Sequence, residues 1–148
     1  TYLTLDRKLA PLGFEALIEA MPRYVAGDIK PIPQDNAAAT VTRQLSRDDG
    51  KIDWQKSNQE IYNLYRGLTP WPGIWTTWNE KRLKLLNVQP IEKNIPAGLV
   101  QKEHERIFIG CKVGTIEVIE LQLEGRKAMN AAEFLRGYGN NFINSSLN

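Results

Sequence analysis

Apolar residues near the N-terminus recur at helical spacing. Leu5, Leu9, Leu12 and Ala16 form one stripe and Phe14, Leu17, Met21 and Val25 a second, which predicts a helix over residues 1–26. Thr4 is the expected N-cap, since its hydroxyl can take a free backbone N–H of the first turn. Pro11 predicts a kink or a later helix start, and Gly27 supplies the stop. Two apolar stripes on one helix need partners, so this segment is not expected to form a domain alone. The alternative is that the helix folds back onto the domain C-terminal to it. Pro31 and Pro33 then enforce an extended path, and residues 28–45 read as a linker with room for a short strand at 40–45.

From residue 46 the pattern is that of a second unit. Ser57 and Glu60 stand at capping-box spacing before a helix over 58–67, which buries Ile61, Leu64, Tyr65 and Leu68. Gly67 and Pro70 end it. The run Thr69-Pro-Trp-Pro-Gly73 is too rich in proline for a helix or central strand and reads as a stiff corner. Beyond it the period changes to two. Residues 74–78 and 81–88 predict a hairpin across Asn79-Glu80, followed by strands at 99–101, 106–109 and 115–123. In the last of these, Ile116 and Val118 are expected on one face and Ile119, Leu121 and Leu123 on the other. Asn130 and Glu133 cap a short helix, 131–137, anchored by Phe134 and Leu135. Short strands at close spacing, with glycine or proline between them, predict a mainly β fold with helices: a small barrel, closed or partly open.

Composition narrows the chemistry more than the fold. The 148 residues carry one cysteine and one histidine, which excludes a disulfide framework, a Cys-only zinc site and a multi-histidine metal site within this chain. No apolar run is long enough to span a bilayer and no signal segment is visible, so a cytoplasmic location is the expectation. The chain opens on Thr1 rather than methionine, which raises the expectation of a fragment. No glycine-rich phosphate loop, dinucleotide fingerprint or His-Glu-x-x-His is present. His104 lies between Glu103 and Glu105 in a charged stretch and reads as a solvated loop residue. Cys111 lacks an activating pair and reads as a buried structural thiol. Asp48, Asp49 and Asp53 are interleaved with Arg47, Lys51 and Lys56 and read as turn charges. No catalytic or metal-ligating residue is assigned.

The charge is unevenly spread. Residues 1–40 hold four basic and five acidic side chains, and residues 41–148 hold fifteen and twelve. Trp54, Trp71, Trp75 and Trp78 crowd the basic part. Cations that neutralise phosphates, beside rings that stack on bases, are what a nucleic-acid binder needs. The competing expectation is that Trp54, Trp71 and at least one of Trp75 and Trp78 are core. Trp75 and Trp78, three apart on a strand, should face opposite sides. The candidate RNA-binding residues are Arg43, Arg47, Lys51, Lys81, Arg82, Lys84, Arg126 and Lys127, the last two in a basic turn after Gly125.

Ile52-Asp-Trp54, Thr69-Pro-Trp-Pro-Gly73 and Gly125-Arg-Lys-Ala-Met-Asn-Ala-Ala-Glu-Phe-Leu-Arg-Gly137 resemble the C-terminal region of the methionyl-tRNA formyltransferase family. Leu5-Asp-Arg-Lys-Leu-Ala-Pro-Leu-Gly13 and Pro31-Ile-Pro-Gln-Asp35 resemble the last helix and exit linker of that family's catalytic domain. The family's Lys-Lys-Pro/Arg-Met-Ser stands here as Arg126-Lys-Ala-Met-Asn130, a modest departure. The resemblance implies residues 1–27 as the end of a Rossmann-like α/β catalytic domain, 28–45 as the linker and 46–148 as an OB-like barrel. It implies transfer of a formyl group from 10-formyltetrahydrofolate to the methionyl amine of initiator tRNA, with this part holding the tRNA. The Asn, His and Asp of the family's chemistry, and its folate-site Ser-Leu-Leu-Pro, belong to a missing N-terminal catalytic domain and match no position here. This chain alone is therefore expected to be inactive, without a cofactor of its own and with no DNA or membrane partner. Two alternatives stay open: the barrel of another folate-dependent formyltransferase, acting on a nucleotide-sugar amine, and a structural or oligomerisation module without a ligand.

Overall fold

The computed structural model describes residues 1–147. The chain separates into a unit of residues 2–45 and a unit of residues 46–147. In the first, helix α1 (Tyr2–Ala26) runs unbroken through Pro11 and Pro22. The later start expected at Pro11 does not occur, and Thr4 lies inside the helix rather than at its cap. The helix ends as expected. Gly27 takes φ 82°, its N–H reaches Tyr24 O at 3.1 Å and the Asp28 N–H reaches Arg23 O at 2.9 Å. The apolar stripes of α1 are exposed throughout, Leu12 at 59% and Phe14 at 65%. No strand forms over residues 40–45. The chain there is extended, after a short 3-10 turn at Asn36–Ala38 that the Asp35 carboxylate caps.

The second unit is an antiparallel sheet wrapped on one core. Its strands are β1 (Ile74–Trp78), β2 (Lys81–Ile91), β3 (Val100–Glu103), β4 (Arg106–Gly110), β5 (Thr115–Leu123) and β6 (Met129–Asn130). They pair in the order β1-β2-β5-β4-β3, with β6 on β5. Helices α2 (Asn58–Leu68) and α3 (Ala131–Phe142) pack against this sheet. Asn79 and Glu80 both take positive φ, the geometry that lets a two-residue turn follow the strand twist. Both capping boxes form: Ser57 with Glu60, and Asn130 with Glu133. The barrel is partly open, because the end strands β1 and β3 do not pair with each other. The β3 edge is covered instead by the segment after α3, where Val100 N–H donates to Ser145 O and Leu147 N–H to Gly98 O.

Three differences from the sequence reading have physical causes. Ile116, Val118, Leu121 and Leu123 all enter the same core, although strict alternation would split them. The register is irregular at Leu85, Asn87 and Val88 opposite β5, and both strands change face there. Helix α3 continues past Gly137 to Phe142, because Phe142 packs edge-on against Trp78 at 5.1 Å and against Phe134 at 5.0 Å. Trp71, expected in the core, is 57% exposed. Leu68 and Ile74 fill the interior on either side of its corner and Pro72 is the buried anchor, so the ring between the prolines projects outward.

A cationic and aromatic face

The outer face of the β1–β2 hairpin carries the candidate site. Leu83 and Leu85 point into the core, so Arg82 and Lys84 point out. Cross-strand pairing sets Trp75 beside Lys84, and Lys84 beside Gln122 of β5. Trp78 turns inward, as the spacing from Trp75 requires; it is 6% exposed, and its indole N–H has no partner among the described residues. The Arg82 guanidinium lies over the Trp75 ring at 4.1 Å. The Trp75 indole N–H donates to the Arg47 carbonyl at 2.9 Å. That bond ties the 3-10 turn Arg47–Gly50 to the hairpin.

The tie depends on Gly50. A Cβ at Gly50 would lie 1.9 Å from the Gly73 carbonyl oxygen, so only glycine lets this turn meet the proline corner backbone to backbone. Ile52 N–H closes the junction on Trp75 O at 2.8 Å. Arg47, Trp71, Pro72, Trp75, Arg82 and Lys84 thus line one cleft of about 380 Å³. A second cleft continues from Arg82 and Lys84 to Gln122, Glu124 and Gly125. Gln122 holds the next turn through its side-chain amide on Arg126 O at 2.9 Å; Arg126 and Lys127 lie exposed on that turn but do not line the cleft.

Some basic side chains elsewhere in this unit are held in ion pairs, whereas Lys51, Lys81, Lys102 and Lys112 are, like these, outside any ion pair among the described residues. Lys93 pairs with Glu103, Arg106 with Glu117, Lys56 with Glu60 and Arg136 with Glu105. Lys93 and Arg106 also cover the Phe108 ring. Among the described residues Arg47, Arg82 and Lys84 have no carboxylate partner, and their charge stays available. Glu124 is the acid that lines the second cleft, and one of its carboxylate oxygens accepts the Arg82 backbone N–H at 3.0 Å.

The structure therefore gathers part of the expected set. Arg47, Arg82 and Lys84 converge, with Arg126 and Lys127 on the neighbouring turn. Lys81 pairs with Trp78, the inward-facing partner, and so lies off this face. Lys51 lines a different cleft with Trp54 and Leu147. Arg43 belongs to the unit of residues 2–45. Sequence reasoning missed Trp71 as a surface ring; the signal was its place between two prolines, where neither strand nor helix could carry it inward.

Burial pushes the Cys111 thiol up to about 12. His104 sits exposed in the β3–β4 turn with φ 53°. Asp49 caps its own turn with Ser46, and Asp53 accepts the Gln55 N–H. Among the described residues no group of histidine, cysteine or carboxylate side chains is gathered for a metal ion, and no helix is long and apolar enough to cross a membrane.

Fold and face together define a small barrel-like, mostly β domain that presents cations and aromatic rings on one face. Residues 44–139 match the family described as "Formyl transferase, C-terminal domain", and the chain belongs to that family. Among its curated relatives are methionyl-tRNA formyltransferase of Streptococcus thermophilus, 37% identical over 93% of this chain, and that of Streptococcus pyogenes serotype M1, 37% identical over 92%. The chain spans 45% and 44% of the length of these relatives. Among solved structures, a multiple variant of HypX from Aquifex aeolicus superposes with a TM-score of 0.63 at 18% identity, over 88% of this chain and 24% of that one. HypX in complex with tetrahydrofolic acid gives 0.62 at 19% identity, over the same shares. At that identity the likeness is one of fold.

Proposed function

We propose that this chain is the tRNA-holding part of a methionyl-tRNA formyltransferase, which transfers a formyl group from 10-formyltetrahydrofolate to the methionyl amine of initiator tRNA. The observation that carries the reading is the convergence of Arg47, Arg82 and Lys84, unpaired by carboxylates, around Trp71 and Trp75. Such a face attracts phosphates without catalysing anything. The curated relatives support it by their name, and their greater length leaves room for the catalytic domain to which residues 1–27 would belong. Residues 28–45 would be the linker, 46–148 an OB-like barrel, and the location cytoplasmic. The formyl donor would bind the catalytic domain, so this chain by itself would be inactive.

Initiator tRNA titrated into the chain at several salt concentrations tests this. Binding should weaken as salt rises. Arg47→Gln and Lys84→Gln should each lower the slope of log affinity against log salt by about one, the share of one phosphate contact. Lys102→Gln, on the strand at the other end of the sheet, should leave it unchanged. Equal slopes in all four proteins would remove the face from tRNA binding.

A further inference from the structure

We propose that the Trp71 corner is a seat for one unpaired nucleotide, so that the cleft prefers single-stranded to duplex RNA. The inference rests on the RNA-holding reading above and adds what part of the RNA is held.

The two rings of the cleft are not equivalent. One face of Trp75 is already taken, because the Arg82 guanidinium covers it at 4.1 Å. Its indole N–H is spent on Arg47. Trp71 has no ring or cation stacked on it among the described residues and is 57% exposed. Its frame is rigid: Pro70 and Pro72 flank the ring, Pro72 is buried, and the Gly73 N–H is bonded to Leu68 O at 2.9 Å. A ring fixed in this way loses little freedom when a base stacks on it.

The charges around the ring fit the rest of a nucleotide. Arg47, Arg82 and Lys84 line the same cleft as Trp71, and its volume of about 380 Å³ is of the order of a small ligand. A base on Trp71 would bring its flanking phosphates toward these cations. Bases in a duplex are stacked on each other and cannot present a face to an indole, whereas loops, bulges and ends can. The occupant is therefore an unpaired nucleotide of an RNA strand.

The test uses the whole chain, a short single-stranded oligoadenylate, and a blunt-ended RNA duplex of the same length. Oligoadenylate should quench tryptophan fluorescence, and Trp71→Leu should abolish that quenching and weaken its binding about tenfold. Trp71→Tyr should restore most of the affinity. The salt slope and the duplex affinity should be unaltered in Trp71→Leu, which removes no charge. Because Trp71 is exposed, unchanged circular dichroism confirms that the variant folds. Equal oligoadenylate affinity in wild type and Trp71→Leu, or an equal loss for the duplex, overturns the seat. Initiator tRNA bound equally by both proteins sinks the seat and leaves the RNA-holding reading intact. Trp71-dependent oligoadenylate binding without tRNA binding does the reverse.

Discussion

Gly50→Ala tests the junction that assembles the face. The added Cβ would stand 1.9 Å from the Gly73 carbonyl oxygen and 3.1 Å from the Gly73 carbonyl carbon. Ordinary contacts lie near 3.5 Å, so the two backbones must part by about 1.5 Å. Neither obstacle is a flexible side-chain end. Overpacking of this kind costs about 1–3 kcal/mol. Parting the backbones also endangers the Ile52 N–H bond to Trp75 O, worth about 1 kcal/mol. The expected loss is about 2–4 kcal/mol, or roughly 10–25 °C in Tm for a domain of this size. Urea unfolding followed by circular dichroism measures it. Gly67→Ala is the control: it lies within α2, nothing stands within 4 Å of its Cβ, and a gain of about 0.5–1 kcal/mol is expected. Where Gly50→Ala remains folded, Arg47 should be displaced from Trp75 and the salt slope of RNA binding should fall. A Gly50→Ala protein within about 0.5 kcal/mol of wild type, with an unaltered salt slope, would refute the claim that this close approach builds the site.

Ionisable groups at opposite ends of the pH scale give two further predictions. Burial raises the Cys111 thiol from 9.0 to about 12, so the folded state holds its proton more tightly than the unfolded chain. Stability should be full below pH 9.0 and fall as pH rises toward 12, less steeply in Cys111→Ala, and a thiol reagent should react only on unfolding. The Ser57 backbone N–H and hydroxyl hold the Glu60 carboxyl below its ordinary 4.5, which contributes stability above that pH and loses it as pH falls. Ser57→Ala should cost about 1 kcal/mol at neutral pH, and Glu60→Gln, which removes the titrating carboxyl, should flatten the acid limb in urea unfolding; an unchanged limb in Glu60→Gln would break the link to the cap.

What the sequence determined by itself is local. The capping boxes at Ser57 and Asn130, the Asn79-Glu80 turn, and the opposite facing of Trp75 and Trp78 come from spacing of one turn or less, and the short-range geometry of the backbone enforces them. The outward facing of Arg82 and Lys84 arises in the same way from the inward facing of Leu83 and Leu85. The tertiary structure decided which of these pieces meet. Gly50 and Gly73 are far apart in sequence, and nothing in either neighbourhood says that their backbones touch. The fate of each cation was likewise undecided, because an ion pair such as Arg106 with Glu117 exists only once β4 lies beside β5. Packing also overrode the alternation in β5 and carried α3 through its glycines, since a core that needs Phe142 and Leu121 outweighs the small local cost of a bulge or a helical glycine. Trp71 lies at the boundary: its place between two prolines was a local signal against burial, and the placement of Leu68, Pro72 and Ile74 in the core fixes it outside.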